Sequence, residues 1–150
     1  MRWHYRKFEV ESSLICPSGF LYRPVARVRV SGLGGDAFVR ALIDTGADHT
    51  LVPFSIAEDI GAELFESEPN SVEGISGHEI TVIPGRVQME LLDDNESLQW
   101  PTTIGFAKFA SPDDECIVLG HVGCLEYFLA AFNGVERFVD LTLACKLPEE

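Results

Sequence analysis

Apolar and polar residues alternate along several short stretches of this chain, and the spacing predicts β-strands. The alternation is clearest over residues 25–30, where Arg27 and Arg29 separate valines, and over residues 86–92. A period of two places successive side chains on opposite faces of a sheet. Other apolar runs predict strands at residues 37–43, 50–52, 98–109, 117–119 and 137–143. Many short strands separated by turns are typical of a β-barrel.

Two segments predict short helices. Pro53 precedes residues 54–60, and Gly61 follows them as a stop signal. Residues 125–132 are apolar enough to form a second helix against the core, which Asn133-Gly134 would end. The chain contains neither an internal repeat nor a linker, so its 150 residues predict one mostly β domain with one or two short helices.

The formal net charge of -13 argues against binding nucleic acid or anionic lipid through a general basic surface. Basic residues do concentrate near the N-terminus, and we interpret them as the solvated face of a strand. No apolar run is long enough to span a bilayer, and no secretory signal pattern begins the chain. We therefore expect a soluble cytoplasmic protein without nucleic-acid or membrane partners.

The four cysteines form no C-x-x-C pair, and no histidine stands at a zinc-finger spacing. Buried free thiols in a reducing compartment are the expected state. The even count is also compatible with a disulfide. We expect no metal and no cofactor.

The stretch at residues 41–48 carries the clearest chemical signal. An apolar strand runs directly into Asp44, and a tight Thr45-Gly46 turn follows. An unpaired buried charge is costly, so an aspartate at the end of a buried strand usually has a partner or a chemical role. Such a turn can present a carboxylate at the floor of a cleft, where two facing carboxylates can share a proton and activate a water.

Three motifs together resemble those of the retropepsin-like (retroviral-type) aspartic proteases. Asp44-Thr45-Gly46-Ala47, followed by Asp48, is similar to the family's active-site turn. Gly74-Ile75-Ser76-Gly77 stands where the family carries its glycine-rich flap tip, and Ile117-Val118-Leu119-Gly120 resembles its second hallmark. The resemblance covers residues 24–143 approximately and implies a single-domain acid-protease β-barrel over residues 24–150.

The resemblance also implies roles for these residues. Asp44 would be the catalytic acid/base, and Thr45 would interlock with its counterpart in a second copy beneath the two carboxylates. Gly46, through its carbonyl, and Asp48 would bind the backbone of a polypeptide substrate. Gly74, Ile75, Ser76 and Gly77 would form a mobile flap, with Ile75 excluding water.

The chain holds a single Asp-Thr-Gly motif, so the second carboxylate must come from Asp44 of another copy. A homodimer is thus a requirement of the chemistry as well as an implication of the family. Residues 1–23 form an N-terminal extension, in which residues 8–10 and 20–22 predict an added hairpin or a dimer strand. Residues 138–143 are the other candidate dimer edge.

One residue departs from the usual pattern of the retroviral members, and Ala47 bears on the pH of activity. His121 follows Gly120 where retroviral members usually carry arginine, and we expect either a contact with Asp48 that weakens as the histidine deprotonates or a residue that merely starts a helix. Ala47 lacks the hydroxyl that a serine would offer to an ionised Asp44. We therefore expect activity at mildly acidic to near-neutral pH.

Three interpretations follow from these residues. The first is an aspartic endopeptidase built on an Asp44/Asp44 dyad. The second is a non-catalytic retropepsin-like module used for dimerisation or peptide binding. The third is that Asp44 only caps its own turn through its side chain.

Overall fold

The computed structural model describes residues 1–67, 69–73 and 77–150 and is mostly β, as predicted. The strands of the described ranges are β1 (Arg2–His4), β2 (Arg6–Glu9), β3 (Phe20–Arg23), β4 (Val25–Ser31), β5 (Asp36–Ile43), β6 (Leu51–Pro53), β7 (Glu63–Leu64), β8 (Asn70–Glu73), β9 (Glu79–Leu92), β10 (Ser97–Ala107), β11 (Val118–Leu119), β12 (Phe128–Asn133) and β13 (Phe138–Leu143). Helix α1 (Phe54–Ile60) and two 3-10 turns, Pro112–Asp114 and Leu125–Tyr127, complete the described elements.

The main sheet closes on itself. Its strand order is β10-β6-β11-β5-β4-β9, and β9 also pairs with β10, so the hydrogen-bonded pairings form a ring of six strands. The long antiparallel β9–β10 hairpin extends from Ser97↔Leu92 to Ala107↔Val82 and supplies much of the wall. This closure is compatible with the predicted barrel, because a ring of paired strands leaves no edge in that part of the sheet.

One hydrophobic core joins this ring to helix α1 and to strands β1, β12 and β13. Along β4, Ala26, Val28 and Val30 are buried while Arg27 is exposed, which is the period of two that the sequence predicts. The largest fully buried side chains are Trp100, Phe106, Ile60, Met89 and Leu91. Burial of these apolar surfaces is the main force that holds the strands in register.

Helix α1 has the predicted bounds. Gly61 ends it in the left-handed region at φ 61°, and the Gly61 backbone is bonded back to the last turn. A Cβ at Gly61 would lie 2.9 Å from the Gly34 nitrogen, so both the conformation and the space require glycine.

The predicted helix over residues 125–132 is wrong. Leu125–Tyr127 forms only a 3-10 turn, and β12 then pairs with β13 from Phe128↔Leu143 to Asn133↔Phe138. The Asn133 side chain accepts hydrogen bonds from the backbone of Val135 and Glu136, so Asn133-Gly134 begins a hairpin loop. An unbroken apolar run fits a buried helix and a strand equally, and here the loop and the partner strand decide.

A three-stranded sheet has the order β1-β13-β12. Residues 138–143 were a candidate dimer edge, but β13 is the central strand, with β1 on one side and β12 on the other. The remaining N-terminal strands, β2 and β3, pair as a hairpin with Arg6 opposite Arg23. The free edges of the three-stranded sheet are therefore those of β1 and β12.

The cysteines are free thiols, as expected, but they are not all buried. Cys124 is buried, and the loss of hydration raises its pKa to about 12. Cys116 and Cys145 are exposed, which corrects the prediction of buried thiols. No described helix has the length and apolar character needed to cross a membrane.

Candidate active site

Asp44 follows β5 directly, at the point where that strand meets β11. The two strands are parallel, with Leu42 opposite Val118, and the Asp44 nitrogen donates to the Leu119 carbonyl at 3.1 Å. Ile43 is buried while Asp44 is half-buried, so the chain leaves the core at this residue. The predicted apolar strand therefore runs directly into a half-buried carboxylate.

The Asp44 side chain closes its own turn. Its Oδ1 accepts a hydrogen bond from the Gly46 nitrogen at 2.9 Å, and the Ala47 nitrogen donates to the Asp44 carbonyl at 3.1 Å. Within the described parts of the chain, the Asp44 Oδ2 has no hydrogen bond and no ion pair. The turn therefore orients the carboxylate and leaves one oxygen available for a ligand.

Gly120 lies against the far end of this turn. Its nitrogen donates to Thr50 Oγ1 at 3.2 Å, and the Thr50 side chain is buried. A Cβ at Gly120 would lie 2.3 Å from the His49 carbonyl oxygen and 2.8 Å from that of Ala47. The predicted second motif therefore packs on the first, and this close approach of two backbones requires glycine.

The residues after Gly120 extend this contact by backbone hydrogen bonds. The His121 nitrogen donates to the Ala47 carbonyl at 3.0 Å, and the Val122 nitrogen donates to the Asp48 carbonyl at 2.8 Å. Residues 120–122 thus hold the turn along its length. The contact of Thr50 with Gly120 is not visible in the sequence, because these residues are 70 positions apart.

The His121 side chain contacts Thr45 and not Asp48. Its Nε2 lies 2.7 Å from the Thr45 carbonyl oxygen, and no ion pair joins His121 to Asp48. A carbonyl only accepts, so Nε2 must carry a proton, which is true of the imidazolium and of one neutral tautomer. The expected His121–Asp48 contact is therefore wrong, and the predicted weakening at high pH loses its basis.

The arms of the predicted flap hairpin pair with one another. Strand β8 lies antiparallel to the start of β9, with Ser71 opposite Thr81 and Glu73 opposite Glu79. Gly77 has φ 74°, which suits a hairpin turn. Gly74, Ile75 and Ser76 lie outside the described residues, so the role of Ile75 at the tip stays a prediction.

A groove of about 500 Å³ is lined by residues of both flap arms and by His49, which directly follows the active-site turn. Ser71 of β8, Val82 of β9 and Val122 are among its lining residues. Leu51 adds further apolar surface to this groove. Among the described residues, no group of three or more His, Cys, Asp or Glu side chains is placed to hold a metal ion.

Comparisons with known proteins agree with these motifs. The model of the aspartyl protease family matches residues 26–92, which include Asp44 and the flap arms. Among solved structures, the protease of EIAV in complex with the inhibitor HBY-793 is similar over 66% of this chain and 82% of that chain, with 16% identity and a TM-score of 0.46. None of the curated proteins matches. The predicted resemblance to aspartic proteases is thus confirmed over residues 26–92, the segment that matches the model of that family.

Proposed function

We propose that this protein is a homodimeric aspartic endopeptidase in which Asp44 of each copy contributes one carboxylate. The observation that carries the proposal is the Asp44 turn: Oδ1 is held by the Gly46 nitrogen, and residues 120–122 support the turn from behind. A carboxylate fixed in orientation and open on one side suits acid–base catalysis. The family match over residues 26–92 supports the same chemistry.

The mechanism requires one shared proton. Two carboxylates a few ångströms apart do not both ionise, so one Asp44 is protonated and its counterpart is charged. The charged carboxylate takes a proton from a water whose oxygen attacks the scissile carbonyl carbon, while the other donates a hydrogen bond to the carbonyl oxygen. The C–N bond then breaks, and the leaving amine takes a proton from the dyad.

The neighbours of Asp44 position the substrate in this proposal. Gly46 and Asp48 are exposed beside the carboxylate and would hydrogen-bond the substrate backbone. Thr45 would meet its counterpart across the two-fold axis, and its carbonyl is held by His121. The hairpin of β8 and β9, with the tip at Gly74, Ile75, Ser76 and Gly77, would cover the bound peptide and exclude water.

The edge of β12 is the surface we assign to the second copy. Leu129, Ala130, Ala131 and Phe132 are exposed along this strand, and Leu129 is 66% exposed. A long apolar edge strand pairs readily with another chain. Since the chemistry needs two copies of Asp44, a second copy of this chain is the partner that fits.

The test is cleavage of a diverse peptide pool by the wild type and by Asp44→Asn, from acidic to neutral pH. The proposal expects cuts by the wild type alone. If a folded and dimeric wild type makes no cuts at any pH, the endopeptidase proposal is wrong.

A second candidate is a non-catalytic dimerisation or peptide-binding module. The bond from the Gly46 nitrogen to Asp44 Oδ1 favours it, because a carboxylate that only caps its turn would make the same contact. A statine-type inhibitor directed at the dyad separates the two. Binding to the wild type supports the enzyme, and a dimer that does not bind supports the module.

A further inference from the structure

We propose that the outer face of strands β2 to β5 binds an acidic peptide segment through four arginines, Arg6, Arg23, Arg27 and Arg40, here called the arginine cluster. The first observation is the strand register. Arg6 stands directly opposite Arg23 in the β2–β3 hairpin, and Arg27 stands directly opposite Arg40 in the β4–β5 pair. Like charges directly opposite each other destabilise a sheet. The two pairs lie on adjoining hairpins and together concentrate positive charge on this face.

Three members of the cluster have no counter-charge of their own. Of the residues that the structure describes, no carboxylate lies within ion-pair distance of Arg6, Arg23 or Arg40. Arg27 contacts Asp94 at 2.7 Å, but the Asp94 side chain is 91% exposed and so is free to exchange for another anion.

Of the four arginines outside the cluster, Arg2 and Arg29 form ion pairs, and Arg86 and Arg137 form none with the described residues. Arg29, two positions from Arg27 on the same strand, pairs with Asp36 and Glu90. Arg2 pairs with Asp140 at 2.7 Å. The chain has 24 acidic residues against 11 basic ones, so acids to neutralise the cluster are abundant. Three of the four arginines of the cluster nevertheless form no ion pair with the described residues, in a protein whose net charge is -13.

Three grooves share Arg6 and Arg40, and two of them add apolar lining from Phe8 or Phe38. The first groove has a volume of about 460 Å³ and includes Arg23, with Phe8 and Leu42 as apolar lining. The guanidinium carbons of Arg6 and Arg23 lie 5.4 and 5.1 Å from the centre of the Phe8 ring. These cation–π contacts hold both guanidinium groups beside the Phe8 ring.

The second groove has a volume of about 510 Å³ and includes Arg27 and Phe38. The Phe38 side chain is 70% exposed. Each groove thus combines guanidinium groups with an apolar surface, which is the combination that an alternating acidic and apolar peptide requires.

The chemistry of the cluster selects the ligand. Guanidinium forks bind carboxylates in pairs of hydrogen bonds, and all four residues are arginine rather than lysine. A long polyanion such as RNA would extend beyond the cluster over a surface of net negative charge, which disfavours it. Glu115 lines the first groove, so acidic side chains are expected at the arginines and not at that wall.

This binding goes beyond the proposed catalysis, because it uses the outer face of β5 and does not involve Asp44. The experiment therefore uses the Asp44→Asn background, in which no cleavage can occur. The probe is a fluorescein-labelled peptide of alternating Glu and Leu, followed by fluorescence anisotropy. Arg6→Gln/Arg40→Gln is the test variant. Arg86→Gln is the matched control, since Arg86 is exposed and lies outside the cluster.

The proposal expects the affinity of Arg6→Gln/Arg40→Gln to fall by about tenfold or more, because charged hydrogen bonds are lost. Arg86→Gln is expected to bind as the background does, and added salt is expected to weaken both. Arg40→Gln removes the like-charge pair with Arg27, so its midpoint of thermal unfolding is expected to equal or exceed that of the background.

Equal peptide affinity in the test variant and in Arg86→Gln would overturn the proposal. Tighter arginine-dependent binding of a labelled single-stranded oligonucleotide than of the peptide would also overturn it and assign the cluster to a nucleic acid. A lowered thermal midpoint in Arg40→Gln would show that the arginine supports the fold, and this too would contradict the proposal.

Discussion

The Nε2 atom of His121 lies 2.7 Å from the carbonyl oxygen of Thr45. This contact joins the turn that carries Asp44 to the segment that supports it from behind. It is the one side-chain hydrogen bond that we observe between these two segments beyond the Thr50–Gly120 pair, as far as the described residues show. Nε2 carries a proton in the imidazolium and in one of the two neutral tautomers, so this hydrogen bond does not require a charged histidine.

We expect His121→Ala to weaken the positioning of the active-site turn. The loss of one hydrogen bond is worth about 1 kcal/mol, or about fivefold in kcat/KM. His121→Gln carries an amide donor at a similar reach and is expected to restore most of the activity. Steady-state kinetics of both variants check this, and equal loss in the two would show that the imidazole acts in another way.

Gly120→Ala is expected to destabilise the protein by about 3 kcal/mol or more, because an added Cβ would overlap backbone atoms. That Cβ would stand 2.3 Å from the His49 carbonyl oxygen. Gly134→Ala is the control, since a Cβ there meets nothing within 4 Å. Urea denaturation measures both, and a stable Gly120→Ala would contradict the tight crossing of the two segments.

Ala47→Ser is expected to move the pH profile of peptide cleavage towards lower pH. A serine hydroxyl can donate to the ionised form of the dyad, and stabilising that form allows the charged carboxylate to persist in more acidic solution. The pH dependence of kcat/KM for the two proteins gives the comparison. Superimposable profiles would mean that residue 47 does not reach the carboxylates.

Leu129→Lys is expected to prevent dimer formation and to abolish cleavage while the monomer stays folded. The Leu129 side chain is 66% exposed on β12, so its loss removes little from the core. Leu33→Lys provides the control, because Leu33 is 88% exposed in the loop between β4 and β5. Sedimentation equilibrium distinguishes the two, and an unchanged dimer in Leu129→Lys would move the interface to another edge.

The ion pair between Arg2 and Asp140 predicts a pH-dependent attachment of β1. The hydrogen bonds from the Arg2 guanidinium hold the pKa of Asp140 below its usual range, against a smaller opposing effect of lost hydration. A carboxyl with a lowered pKa in the folded state stabilises the fold above its unfolded pKa, and this contribution is lost as the pH falls through the folded value. Arg2 is exposed and Asp140 is only half-buried, so solvent screening keeps the effect small.

Asp140→Asn should therefore be slightly less stable than the wild type at neutral pH, and the difference should vanish in acid. Urea midpoints at neutral and acidic pH give the two differences. A gap of constant size across this range would show that the charge of Asp140 is not its cause.

The mostly β fold class was predictable from the sequence, and so was the strand that ends at Asp44. The strand that ends at Asp44 and the position of Gly120 follow from local patterns, because an apolar run and a required glycine are visible without partners. The contact of His121 with Thr45 does not follow, since it joins residues 76 positions apart. Which side chain reaches the Thr45 carbonyl depends on how the two backbone segments cross.

The error at residues 125–132 has a similar cause. The apolar run has no period of its own, and only pairing with β13 defines it as a strand. Asn133-Gly134 between two apolar runs is a strong hairpin signal, although the same pair also suits the end of a helix. No local signal in the sequence indicates that β13 lies between β1 and β12, because β1 is at the opposite end of the chain.

Several strand pairs join distant parts of the chain, and this has a consequence for folding during synthesis. Asp44 depends on β11 at Val118–Leu119, and β1 depends on β13 at Phe138–Leu143. Contacts between distant parts of a chain form late, because a long loop must close first. While the polypeptide is still emerging from the ribosome, the turn that carries Asp44 therefore lacks its contact with β11. The backbone around Asp44 is therefore complete only after residues 118–119 have been made.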